Sequence, residues 1–211
     1  MPYQLHRLEL HSSTIHLLEF SDEFDPKDYL DTLTDIERER YFAFKHDKRR
    51  QEFVATRFLR HQLFGYEEIK YRDHGAPYLE NAGFISISHA RNLVGIASNP
   101  GFAIGFDMEE IHPKVLKLTH KFLNENELLR FDEFNAEEMI SCWSYKETLY
   151  KLAGRKRIDF KKDLLLLEKR DNGCIAKIIN PDEVVHVELE TLRFKEYVIT
   201  INAHEVSYVR N

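Results

Sequence analysis

One break in this sequence limits what the chain can become. Asn99-Pro100-Gly101 sets three strong turn formers side by side near the middle of 211 residues, and neither a helix nor a strand runs through such a triplet. The chain therefore reads as two halves of similar length, 1–101 and 102–211. In the first half, 3–10 and 14–20 alternate or run apolar through Leu8, Leu10, Ile15, Leu17, Leu18 and Phe20, which predicts two strands. Lys27 to Leu33 predicts a short helix. Thr34 with Glu37 is a capping-box pattern opening a second. A longer helix follows from Asp47 to about Phe64, with Val54, Phe58, Leu59 and Leu63 on one stripe. A turn at His74–Tyr78 leads to strands at Phe84–His89 and Leu93–Ser98.

The second half opens on Ile104-Gly105-Phe106-Asp107-Met108-Glu109. In a strand, alternate side chains share a face, so Asp107 and Glu109 point the same way. Helical patterns follow over Val115–Phe122 and about Glu125–Phe134. Asn135 with Glu138 reads as another capping box, and it starts a helix rich in apolar residues (Met139, Cys142, Trp143, Leu149, Leu152) that ends at Gly154. Strands are expected at Leu164–Leu167, Cys174–Ile179, Val184–Leu189 and Tyr197–Ile201, with Asp171-Asn172-Gly173 as a hairpin turn. Helices set against several strands in each half make an α+β pattern.

Composition narrows the class. The chain is 43% hydrophobic and 31% charged, with no apolar run near the ~18 residues of a membrane helix. The first residues carry no secretory apolar segment. Cys142 and Cys174 form no CxxC, so a disulfide framework or cysteine zinc site is not expected, and a reducing cytoplasm is the expected compartment. The net charge is -6, yet Glu37 to Arg60 holds eight basic residues against four acids. A local basic patch on an acidic protein points to a discrete anion rather than to nucleic acid. Lys48, Arg49 and Arg50 crowd the first turn of the long helix, where they oppose its dipole unless an anion docks there.

Chemistry concentrates in the second half. Glu147 and Lys151 are four residues apart and share a helix face. With Asp107 and Glu109 they make three carboxylates and a cation, a set suited to magnesium. Metal-bound pyrophosphate is a better leaving group, Lys151 could neutralise or protonate it, and a remaining carboxylate could accept a proton. Acid-and-lysine sets of this spacing serve phosphoryl-type transfer and nuclease chemistry alike. His89 follows an apolar strand into a bend, where binding residues concentrate.

Three motifs in order, Ser88-His89, Ile104-Gly105-Phe106-Asp107-Met108-Glu109 and Trp143-Ser144-Tyr145-Lys146-Glu147 with Lys151, resemble the 4'-phosphopantetheinyl transferases of the surfactin-synthetase-activating type. The resemblance covers roughly residues 34–160. It implies a pseudo-dimer of two similar α/β halves, each with helices packed on a mainly antiparallel sheet, with coenzyme A bound in the cleft between them. It further implies magnesium-dependent transfer of phosphopantetheine to a serine of an apo acyl or peptidyl carrier protein, releasing adenosine 3',5'-bisphosphate, by a monomer. By position Asp107, Glu109 and Glu147 resemble the metal ligands, and Glu147 also resembles a base. Lys151 resembles the group facing the pyrophosphate, and Glu127 lies in a segment where some members place a base. Ser88 and His89, with Arg40, Lys48 and Arg49, fall where the family contacts coenzyme A and its 3'-phosphate. The family's usual Gly-Lys-Pro is Gly75-Ala76-Pro77 here, which leaves Arg72 or Lys70 to supply that charge. The alternatives are a non-catalytic relative that binds coenzyme A or a carrier protein, and a magnesium nuclease.

Overall fold

The computed structural model describes residues 1–210, which form two compact units. The first comprises residues 1–72 and 77–101. Strands β1 (Tyr3–Leu10) and β2 (Ser13–Phe20) form a hairpin, turned through His11 at φ 51°. A 3-10 turn over Pro26–Thr32 starts with proline just inside a cap by Asp25, whose carboxylate accepts from Lys27 N at 2.9 Å. Helices α1 (Asp35–Ala43) and α2 (Asp47–Phe64) follow. Then come β3 (Lys70–Tyr71), β4 (Pro77–Tyr78), β5 (Phe84–Ala90) and β6 (Leu93–Asn99). The sheet runs β1-β2-β6-β5-β4-β3 and is antiparallel throughout. Val54, Phe58 and Leu59 of α2 pack with Leu18, Phe20, Ile85, Val94 and Ile96 of the sheet.

The second unit comprises residues 73–76 and 102–211, of which 211 lies outside the described residues. Its elements are β7 (Phe106–Glu110), a 3-10 turn over Pro113–Lys117, α3 (Thr119–Phe122), α4 (Glu125–Leu128) and α5 (Ala136–Leu152). After these come β8 (Leu164–Arg170), β9 (Gly173–Ile179), β10 (Glu183–Phe194), β11 (Tyr197–Asn202) and β12 (Ser207–Arg210). The order is β7-β11-β10-β9-β8, with β12 beside β10. Taken from β2, the first unit has the same order, β2-β6-β5-β4-β3, and in both units the helices interrupt the chain after the first of these strands. The two halves are therefore similar α/β units on antiparallel sheets. Among the described residues no helix is long and apolar enough to cross a membrane.

Local chemistry departs from the sequence reading at several points. The helix expected to reach Phe134 stops at Leu128. Asp132 there accepts from Phe134 N at 3.0 Å, an Asx turn that competes with further helix. Asn135 caps α5 by accepting from Glu137 N and Glu138 N, but Glu138 does not reach back to complete a box. Its carboxylate accepts from Asp132 N at 3.0 Å and pairs with Lys169 instead. A full capping box occurs at Asn124 with Glu127. The turn between β8 and β9 is Asp171-Asn172, and Gly173 already pairs in the sheet. Glycine is needed there because a Cβ would fall 2.0 Å from Leu189 O.

Two of the cations counted in the basic stretch are interior. Glu37, the capping-box residue of α1, accepts from Arg57 Nε at 2.9 Å and from Arg60 Nη2 at 2.5 Å. Its other role is to accept from Thr34 N at 3.1 Å. Arg60 is 0% exposed and also donates to the carbonyls of Thr32 and Gly65. Removing the carboxylate charge leaves two guanidinium groups buried without compensation. Glu37→Gln should cost ~3–5 kcal/mol in urea unfolding. A loss below ~1 kcal/mol would mean that water or backbone carbonyls suffice to hold the arginines.

Candidate functional site

Asp107 and Glu109 alternate along β7 with Phe106 and Met108, two side chains that are fully buried. Strand β7 stands at the end of the sheet order and pairs with β11, opposing Asp107 to Thr200 and Glu109 to Val198. Helix α5 lies over these strands, and Gly105 is why it comes so close. A Cβ at Gly105 would lie 2.6 Å from Thr148 O and 2.7 Å from Leu152 Cγ. Asn202 braces the same point, accepting from Gly105 N at 2.8 Å and donating to Ala103 O at 3.1 Å.

Three residues of α5 at four-residue spacing, Trp143, Glu147 and Lys151, form one stripe toward the acids. Trp143 Nε1 donates to Glu109 Oε1 at 2.8 Å. Its ring stacks on Phe160 and meets the Phe122 ring edge-on. Lys151 Nζ donates to Asp107 Oδ1 at 2.9 Å and to Phe106 O at 2.6 Å. Glu147 lies between these two contacts along the stripe. Burial pushes its carboxyl up to about 7, the Asp107 charge adds to the rise, and Lys151 opposes it. Glu109 is also pushed up to about 7, by burial first and then by Asp107, against the Trp143 hydrogen bond. The predicted acids and Lys151 are thus brought together. Trp143, read from sequence as an apolar residue and as the first residue of the family-like motif but given no role in the site, joins them. Its place four residues before Glu147 was the available signal.

Glu127 sits elsewhere, 1% exposed. Its Oε1 accepts from Lys146 Nζ at 2.5 Å and from Leu166 N at 2.8 Å, and its Oε2 from Asn124 N at 2.8 Å. Lys146 donates further to the carbonyls of Phe160 and Leu164. Burial pulls Lys146 down from its ordinary range, while Glu127 pushes it back up.

In the first unit, Arg49 Nη1 lies 3.3 Å from His89 Nε2. An arginine can only donate, so the imidazole accepts there and, when neutral, carries its proton on Nδ1. Ser88 is buried beside it in β5. Arg49 and Lys48 also approach Glu52, at 3.4 and 3.8 Å. Arg40 lies over the rings of Phe53 and Tyr71, and Arg72 over Tyr78. The predicted Arg49 and His89 therefore meet, while Arg40 and Arg72 rest on aromatic faces.

Magnesium would have to be held by the three acids Asp107, Glu109 and Glu147. The donor set is three carboxylates, the hard oxygen chemistry magnesium takes, and burial first, with the Asp107 charge adding to it, holds Glu109 and Glu147 above the usual carboxylate range. Among the described residues, however, no three His, Cys, Asp or Glu side chains converge as a ready-made metal site. Asp107 is turned to Lys151 instead.

Two measurements follow. Glu109 and Glu147 hold a proton more tightly folded than unfolded, so their contribution to stability is full below about pH 4.5 and is lost as pH rises toward about 7. Metal-free protein should lose several degrees of Tm over that window, and the Glu109→Gln/Glu147→Gln variant should flatten the slope. An unchanged slope would remove the two acids as its cause. Gly105→Ala must push α5 off β7 at a cost of ~1–3 kcal/mol. It should also shift the emission of Trp143, the chain's single tryptophan, whereas unchanged emission and stability would mean that the contact is slack.

Comparison with known proteins bears on this same segment. No curated protein matches the chain. Residues 103–202, which run from the strand of Asp107 and Glu109 through α5 to β11, match the family model of the 4'-phosphopantetheinyl transferase superfamily, and that match supports the superfamily for this chain.

Proposed function

We propose that this protein is a magnesium-dependent 4'-phosphopantetheinyl transferase acting on an apo carrier protein, with coenzyme A as donor. The observation that carries the reading is the stripe of Trp143, Glu147 and Lys151 set against Asp107 and Glu109, inside the segment that matches the superfamily. Asp107, Glu109 and Glu147 would hold the metal, which would supply positive charge to stabilise a pyrophosphate leaving group. A carrier serine Oγ attacks the phosphorus that bears the pantetheine arm. The bond from that phosphorus to the bridging oxygen breaks, and adenosine 3',5'-bisphosphate leaves with the electron pair.

Each residue then has a stated task. Glu147 accepts the serine proton, and its carboxyl, pushed up to about 7 in the metal-free chain, lies near working pH. Lys151 offsets the charge that develops on the leaving phosphate. Trp143 fixes Glu109 by its hydrogen bond. Glu127, whose oxygens are filled by Lys146 and two backbone amides, positions α5 rather than serving as base. In the first unit Arg49 and His89, with Lys48, Arg40, Ser88 and Arg72, are the groups we assign to coenzyme A, and the exposed Lys48 and Arg49 suit its 3'-phosphate.

The deciding experiment is intact-mass spectrometry of several apo carrier proteins incubated with coenzyme A, magnesium and this protein. The carrier should gain one phosphopantetheine. Glu147→Gln should reduce the rate by at least ~100-fold, the scale of a lost general base, and Asp107→Ala should abolish transfer. Carriers left unmodified here but converted by a known transferase would overturn the enzyme reading. Metal-dependent coenzyme A binding without transfer would favour a non-catalytic relative instead.

A further inference from the structure

The Trp143 indole serves Glu109 in one orientation only, because it carries a single N–H donor fixed in the plane of its ring. Two rings from outside α5 bear on that orientation. Phe160 stacks on the indole, with ring centroids 5.6 Å apart and planes 20° from parallel, and Phe122 meets it edge-on at 5.2 Å. Phe160 also stacks on Tyr150 at 5.8 Å and 28°, so it rests on two side chains of α5 that lie two turns apart. The backbone of Phe160 is tied to the same helix, its carbonyl accepting from Lys146 Nζ at 2.9 Å. The turn that carries it is closely bonded. Asp163 Oδ2 accepts from Asp159 N at 3.0 Å and from Arg155 Nη2 at 2.8 Å, and Asp159 Oδ1 accepts from Lys161 N at 2.9 Å. A ring held on such a turn can lock the rotamer of the group it covers.

We propose that Phe160 is a positioning residue for the transfer reaction, acting through Trp143 to keep the Glu109 carboxylate in place. The inference rests on the transferase reading and adds to it a residue outside the three sequence motifs. Its contribution is the flat aromatic face, which restricts rotation of the indole as an aliphatic side chain does not. A residue that only filled space would affect stability. Phe160 affects where the indole N–H points.

Trp143 is the only tryptophan, so its indole N–H gives one cross-peak in a proton–nitrogen correlation spectrum of the full chain, recorded without metal, coenzyme A or carrier. Phe160→Leu should move that cross-peak toward the position it takes in Glu109→Ala, where the acceptor is gone, and Phe160→Tyr, which keeps the ring face, should leave it in place. Phe160→Met, bulky but not flat, serves if Phe160→Leu folds poorly. In the carrier mass assay Phe160→Leu should lower kcat on the order of 10–100-fold, the scale of a misplaced group, with the KM for coenzyme A unchanged. Once Trp143→Phe has removed the donor, Phe160→Leu should have no further effect. A cross-peak that stays in the wild-type position, or rate losses that multiply in the double variant, would overturn the positioning role. No transfer by the wild type, with the cross-peak moving as expected, would overturn the transferase reading and the catalytic use of the contact, while the contact itself stood.

Discussion

A buried ion pair fixes where α4, α5 and the start of β8 meet in the second unit. Lys146 is 0% exposed, and a charge so placed is tolerable only when every proton finds an acceptor. Its three protons go to Glu127, Phe160 O and Leu164 O. Glu127 is filled in turn from Lys146, Leu166 N and Asn124 N. The pair fastens the first turn of α4, the middle of α5 and the start of β8 at one point. Glu147 follows Lys146 directly, so pinning Lys146 inward fixes the rotation of α5. About 100° per residue then turns Glu147 toward β7, with Trp143 and Lys151 one turn to either side.

The first unit solves the same problem with different residues. Thr34 and Asn124 are both N-caps whose capping-box partner is a buried glutamate, Glu37 or Glu127. In each case the cation comes from the long helix that follows, Arg57 and Arg60 from α2, or Lys146 from α5. A carboxylate already needed at a helix start thus serves a second time as the counter-ion that joins two helices. The likeness of the units extends from strand order to this detail.

Regular periodicity carried much of the fold in the sequence. The alternation in β2, the stripe in α2 and the turn formers between strands are local patterns, and the elements formed where they occur. Side-chain competition was harder to read. The Asx turn at Asp132 and the diversion of Glu138 to Asp132 N depend on which of several acceptors wins, and spacing does not decide that. The N-x-x-E pattern at Asn124–Glu127 was present in the sequence, yet its meaning depended on Lys146 arriving from nineteen residues away. The basic stretch likewise looked stronger than it is, because charge counting does not distinguish an exposed Lys48 from a fully buried Arg60. For the acid cluster, strand alternation was enough to align Asp107 with Glu109. Placing Glu147 beside them needed the packing of α5 that Gly105 permits.

Two cations near the end of α5 hold their partners in different ways. Arg155, four residues past Lys151, holds Asn180, Asp163 and the carbonyls of Arg157 and Ile179 through its fork. Such a planar, multiply bonded guanidinium locks a loop in place. Lys151 makes two contacts with a single point charge, which a strongly hydrated ammonium on a four-carbon stem can give up at little cost in geometry. Folding alone would favour the fork at both positions, and it would not set Glu109 and Glu147 where burial and Asp107 hold both near 7. An acid cluster with a single lysine counter-ion opposes stability, because burial and the Asp107 charge both work against ionising Glu109 and Glu147.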